Sequence, residues 1–278
     1  MRETLGNAAD EPSLSEQLAT LAQIREQDLE PDPKGGGPRI RRGVAPDRRI
    51  SIEDPDMRHG RKSKSQTIKG FKSHLAADVD TNLIVACGVT PANNPEADAL
   101  PAIVADLAHY AERNEIGELH IDRGYLASDS VQELDADKIR IVSKPWRPRP
   151  GELFAKRDFK LDLGRRTITC PAGHVEKIQL GSVTHFPAEI CDACPLRAQC
   201  TEAAPGRGRS VTITDDEPLQ KKLRLAIATP IGRERLRERV MIEHRLAHHA
   251  RKQGDRARYL GLRNNVFDAR RHAATVNL

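Results

Sequence analysis

Apolar positions recur at steps of three and four near the start of the chain, at Leu14, Leu18, Leu21 and Ile24, which predicts an amphipathic helix. Pro31, Pro33 and the run Gly35 to Gly37 with Pro38 break it. Residues 1–43 therefore read as an acidic N-terminal remnant and a Gly/Pro linker. The period then changes. Ile68 to Val79 and Asn82 to Thr90 are β-branched runs around a polar turn at Asp80-Thr81-Asn82, the pattern of a β-hairpin. After Pro91 to Pro95, the positions Ala97, Leu100, Ile103, Val104 and Leu107 share one face of a helix running to about Arg113. Leu119 to Asp122 reads as a short strand ending in a carboxylate. Ser128 to Asp135 reads as a second helix and Ile139 to Lys144 as a further strand, an alternating α/β order.

Between residues 147 and 215 this order gives way to short β-like pieces around four cysteines, including Arg166 to Thr169 and Ser210 to Thr214. Helical patterns return at Pro218 to Leu225, Gly232 to Arg251 and Asn264 to Asn277. The expectation is an α/β domain formed by residues 44–146 and closed by the helices of 216–278, with 147–215 as a Cys-containing, β-rich insertion. At 278 residues the chain is long enough for such a core without disulfide staples.

Composition restricts the function. Aromatic residues are only 3% of the chain, which argues against base stacking on rings as a binding mode. The longest apolar run, Leu83 to Val89, is far too short to span a bilayer, and the sequence after Met1 does not read as a signal peptide, so a cytoplasmic location with no membrane partner is expected. The formal net charge of +5 hides an uneven distribution. Residues 1–33 carry two basic and eight acidic side chains, residues 34–72 twelve and four, and residues 231–263 ten and four. Two basic stretches suit a polyphosphate partner, because each neutralised phosphate releases counterions. A solvated charged face is the plainer alternative for either stretch. Lys62, Lys64, Arg245, Arg251, Lys252, Arg256, Arg258 and Arg263 are the candidates for phosphate contacts, with His248 and His249 as surface groups nearby.

Two carboxylates stand out. Glu243 falls in the stripe Leu236, Val240, Ala247 and Ala250, and a carboxylate on an apolar helix face needs a metal, a cleft or an internal salt bridge. Asp122 ends a predicted strand, the edge at which α/β sheets expose ligand sites, though an Asp there also suits a turn. Carboxylates on separate elements can share Mg²⁺ or Mn²⁺, and paired ions stabilise the attacking and leaving oxygens of a phosphodiester displacement. Separately, Cys170, Cys191, Cys194 and Cys200 form a set with one C-x-x-C pair, able to close a tetrahedral Zn²⁺ site or to pack as reduced thiols. Cys87, alone in an apolar run, reads as core. Tyr125 and Trp146 fit either core or a site rim.

Several stretches in order carry a family resemblance: Val44 to Ser51, Asp54-Pro-Asp56-Met-Arg58, Gly70-Phe-Lys-Ser-His74, Val89-Thr-Pro-Ala-Asn93 and Ile121-Asp122-Arg-Gly-Tyr125. Cys170-Pro-Ala-Gly-His174, Cys191-x-x-Cys194-Pro-Leu-Arg197, Glu243-His-Arg-Leu-Ala247 and Arg256-x-Arg258-Tyr259-x-Gly261 complete the set. Together they resemble the catalytic region of DDE-type transposases of bacterial insertion sequences, from about Pro38 onward.

The resemblance implies an RNase H-like mixed sheet flanked by helices, with Asp122 and Glu243 as the second and third metal-binding carboxylates. It implies DNA as partner, both element ends and target, with homo-oligomerisation of the full-length enzyme. The first carboxylate of such enzymes lies on a strand upstream of the Asp54 loop, and no such strand is readable before it. The chain is thus expected to be an N-terminally truncated transposase, or alternatively a catalytically inactive DNA-binding relic. Asp54, Asp56, Asp78 and Asp80 are poor substitutes for the missing group.

Overall fold

The computed structural model describes residues 12–43, 45, 47–61, 65–111, 115–147, 151–254 and 256–278. In chain order these form α1 (Pro12–Asp28), β1 (Leu29–Pro31), β2 (Pro38–Ile40), β3 (Arg58–Arg61), β4 (Thr67–Ala77), β5 (Ile84–Pro91) and α2 (Leu100–Leu107). There follow β6 (Glu118–His120), α3 (Asp129–Ala136), β7 (Arg140–Val142), β8 (Lys160–Asp162), β9 (Thr167–Thr169), β10 (Val175–Lys177) and β11 (Ser182–His185). Two short helices, α4 (Ala188–Asp192) and α5 (Arg197–Cys200), precede β12 (Ser210–Ile213), α6 (Glu217–Ala228), α7 (Pro230–Gln253) and α8 (Leu262–Asn277). The chain is mixed α/β, as the alternating pattern predicts. It divides into two compact units, residues 1–115 with 238–278, and residues 116–237.

The first unit is built on the antiparallel sheet β3-β4-β5. β4 and β5 are the expected hairpin, with Phe71 opposite Pro91 and Leu75 opposite Cys87. The turn is organised by Asp78, whose Oδ1 accepts the amides of Asp80 and Thr81, and Asn82 adopts a φ of 58°. β5 is apolar along its length because helices cover it. α8 packs Ala269, Ala273 and Val276 on Ile84 and Cys87, and Ile103 of α2 lies 3.3 Å from where a Cβ on Gly88 would sit. Cys87 is core, as expected, and burial, with Asp106 nearby, pushes its thiol pKa up to about 11. The helix predicted to reach Arg113 ends at Leu107, and residues 112–114 lie outside the described set. Its buried side, Leu100, Ile103 and Leu107, is the predicted one.

Helix α8 is fixed at both ends by residues remote in sequence. Its first amides have no partner within the helix. The Oδ2 of Asp54 accepts the Gly261 N–H at 2.9 Å, and the Oδ2 of Asp56 accepts the Leu262 N–H at 2.9 Å. Asp54 is fully buried, and its Oδ1 accepts the amide of Asp56. Gly261 has φ +78°, a left-handed conformation in which a side chain would be strained. Two carboxylates at the positive end of a helix also complement its dipole. At the other end Asn277 exchanges two hydrogen bonds with the backbone of Ile84, and Arg245 donates to the Val276 carbonyl at 2.7 Å. The loop bearing Asp54 is braced by Arg49, which donates to the Ser51 and Ile52 carbonyls. Arg49 is held in turn by Thr20 and Gln27 of α1. The face of α1 expected to carry Leu21 is thus rotated: Leu21 is exposed and Thr20 is buried.

In the second unit, β6 and β7 pair in parallel around α3, with Glu118 opposite Arg140 and His120 opposite Val142. Val131 and Leu134 form the buried side of α3. The segment after Arg147 forms the antiparallel sheets β8-β9-β10 and β11-β12. Phe159, Ile168, Ile178, Phe186, Val211 and Ile213 make its small core. Glu217, buried at the start of α6, is paired with Lys156 and Arg224 and accepts the Thr214 hydroxyl at 3.0 Å.

Removing the Asp54 carboxylate leaves the part-buried amides of Gly261 and Asp56 without an acceptor. Asp54→Ala is expected to lower unfolding free energy by about 2–3 kcal/mol, and the exposed Asp80→Ala by under about 0.5 kcal/mol, measured by denaturant titration. Equal effects would contradict the clamp. A second expectation concerns His74, buried in β4 with a ring nitrogen 2.9 Å from the Thr90 hydroxyl. Burial first, then Lys72, depresses its pKa to about 4. The unfolded chain binds that proton at about 6.5, so stability falls as pH drops from 6.5 to 4, by on the order of 3 kcal/mol. His74→Gln should flatten that slope.

Candidate functional site

Asp122 stands immediately beyond β6. The Ile121 amide still donates to the Val142 carbonyl at 3.0 Å, so the parallel pairing carries to its doorstep. Asp122 itself is extended, with φ −76° and ψ 159°, and it begins the turn Arg123–Tyr125. Its backbone carbonyl, not its side chain, accepts the Tyr125 amide, and the carboxylate makes no capping hydrogen bond to that turn. Asp122 thus helps to form the turn through its backbone, while its carboxylate is exposed at the C-terminal edge of the parallel pair. Arg123 secures the turn by donating from Nε to the Pro145 carbonyl at 2.7 Å. The register that sets His120 beside Val142 puts Lys144, also exposed, at the same edge. Sequence reasoning did not single out Lys144; its position two residues beyond β7, matching that of Asp122 beyond β6, was the available signal. Tyr125 is half-buried, and Trp146 is partly exposed, with its indole N–H on Asp216 and its amide on Gln220.

Glu243 belongs to the first unit, in the second half of α7. The expectation that it lies on the helix's buried stripe is corrected. Its side chain is 58% exposed and pairs with Arg239 one turn earlier at 2.8 Å. Val240, Ala247 and Ala250 are exposed as well, and the inward side instead carries Ile242, Leu246 and His249. Periodicity misled because two alanines are too small to define a face, and an arginine-rich helix hides its true one. Exposure leaves the Glu243 carboxylate accessible. The Arg239 pair is worth little at such a surface.

The basic candidates separate. Lys62 and Lys64 lie outside the described residues. Arg251, Lys252, Arg256, Arg258 and Arg263 are exposed. Arg245 is not available to a ligand in the way expected, since it spends a guanidinium N–H on the end of α8. His249 is also corrected: far from being a surface group it is fully buried, edge-to-face with His272 at 5.6 Å between ring centroids. Its ring nitrogens have no hydrogen-bond partner among the described residues. Burial first, then His272, lowers its pKa, while the backbone of Ala269 and the Asp268 carboxylate oppose the shift.

The four clustered cysteines come together in the second unit. Cys170, Cys191, Cys194 and Cys200 all line one cavity of about 30 Å³, with His174, Arg197 and Arg209 on its wall. Among the described residues no three metal-capable side chains stand at the spacing of a formed coordination shell. No described helix is long and apolar enough to cross a membrane.

Arg245→Ala should cost about 1 kcal/mol of stability by freeing the Val276 carbonyl and leave polyanion binding on heparin nearly unchanged, whereas Arg256→Ala should do the reverse. The opposite pattern would return Arg245 to the ligand face.

Comparison with known proteins gives one family match. Residues 169–278 fit the family model described as a transposase DDE domain, a span that contains the four clustered cysteines and Glu243. No curated protein and no solved structure matches the chain.

Proposed function

Residues 169–278 fit a transposase DDE domain model, and on that premise we propose that the chain is a DDE-type transposase of insertion-sequence ends, a class of enzyme that works by metal-dependent phosphoryl transfer. The observation that carries the reading is Asp122: an exposed carboxylate at the C-terminal edge of a parallel strand pair. Glu243, exposed on α7 and inside the matched segment, is the second member. Both donors are oxygens, which suits Mg²⁺ or Mn²⁺. Such ions, when bound, stabilise the attacking and leaving oxygens of a phosphodiester displacement. Asp122 would be the metal-holding carboxylate of the second unit and Glu243 that of the first, and Lys144, at the same strand edge as Asp122, would offer its ammonium to the phosphate. Arg251, Lys252, Arg256, Arg258 and Arg263 track the DNA backbone, contributing affinity and position but no sequence reading.

The clamp on α8 sharpens the question of activity. Asp54 and Asp56 each commit an oxygen to holding that helix, so they are no substitute for a third catalytic carboxylate. On a two-carboxylate account, with Asp122 and Glu243 acting without a third, the second reading is a DNA-binding transposase with little or no strand cleavage of its own.

Binding is tested with duplex DNA carrying the genomic flanks of the gene. Affinity should fall steeply with salt, and alanine at Arg251, Lys252, Arg256 and Arg263 together should lower the log–log slope by about 3–4. A chain that does not bind DNA removes the transposase reading. Cleavage in Mg²⁺ or Mn²⁺ should be near background. Robust cutting abolished by Asp122→Asn would instead establish a complete site and overturn the two-carboxylate account.

A further inference from the structure

The cysteine cavity belongs to a different chemistry from the carboxylates. It lies in a segment whose buried core is six side chains, Phe159, Ile168, Ile178, Phe186, Val211 and Ile213. So few apolar groups leave short strands of three or four residues poorly anchored. Cys170, Cys191 and Cys200 pack half-buried against that core, and all four cysteines of the segment are free thiols. Bringing four reduced thiols from three separate stretches to one 30 Å³ cavity is an arrangement hydrophobic packing does not require.

We propose that this cavity is a structural Zn²⁺ site, with Cys170, Cys191, Cys194 and Cys200 as its four ligands, and that the ion anchors the β8 to β12 segment.

The local backbone is shaped for it. Cys170 begins a tight turn closed by the Gly173 amide on its carbonyl at 2.9 Å, with Gly173 at φ +93°. Cys191 begins another, closed by the Cys194 amide. The Arg209 amide already points at Cys191 Sγ, 3.4 Å away, the kind of N–H contact that steadies a thiolate ligand. A divalent ion on four thiolates would leave a double negative charge, which the Arg209 guanidinium on the cavity wall would partly offset, Arg197 being paired with Asp192 at 2.9 Å. Soft sulfur ligands select Zn²⁺ over the hard ions that carboxylates prefer. The thiols ring the cavity instead of meeting at a point, so ion binding includes their closure onto the metal. His174 shares the wall and is the rival fourth ligand.

The test uses the purified full chain from zinc-supplemented cells. Elemental analysis should find about one zinc per chain, and removal by a strong chelator should make four further thiols reactive. Replacement by Co²⁺ should give the intense sulfur-to-cobalt absorption of a tetrahedral four-thiolate site. Cys87→Ser and His174→Ala should retain the zinc, while Cys191→Ser with Cys194→Ser should lose it. Should that double variant not fold, the wild-type stoichiometry and cobalt spectrum still decide. Zinc below about a tenth per chain, with all four thiols reactive before any chelator, overturns the site; loss on His174→Ala overturns the ligand set. None of these readouts involves DNA, so they stand or fall apart from the transposase reading.

Discussion

Two carboxylates from one short loop hold the first amides of the last helix, and the first unit is organised around that contact. The loop at Asp54 to Asp56 lies 207 and 206 residues from the amides it binds. Helix termini leave polar groups that must find partners, and here the partners are supplied from the far end of the unit. Helix α8, fixed there and again at Asn277, lays its small residues on β5. α1 and Arg49 brace the loop in turn. Burial of Asp54 is tolerable because its oxygens are satisfied by amides and sit at the positive end of a helix.

The same contact sorts the acidic residues by use. Asp54 and Asp56 are committed to the fold; Asp106 is held by the Cys87 amide and by Arg270; Glu217 is buried among Lys156, Arg224 and Thr214. Asp122 and Glu243 differ in being exposed, one at a strand edge and one on a helix surface. The distinction follows from where the backbone needs acceptors, and it leaves Asp122 and Glu243 exposed, as the proposed chemistry requires. It also explains how an Asp-Pro-Asp loop can resemble part of a catalytic region while serving as a cap.

The alternating periods of the sequence carried the hairpin of β4 and β5, the buried side of α2, the strand before Asp122 and the C-terminal helices, since each depends on neighbours within a turn or two. Cysteine spacing likewise carried the gathering of Cys170, Cys191, Cys194 and Cys200, and Cys87 was legible as core from its apolar run. The inward face of α7 was not legible, because its apolar residues are few and its true buried member is His249.

What the sequence determined by itself is thus local: which segments are strands or helices, which residues carry charge, and which family model residues 169–278 fit. Only the tertiary structure decided the roles of Asp54, Asp56, Arg245 and Asn277. Each satisfies a backbone group far away along the chain, and no local period records a hydrogen bond between residues 31, 193 or 207 positions apart. It also decided that Glu243 faces outward and His249 inward, because a helix's orientation is set by what it packs against and not by its own pattern alone.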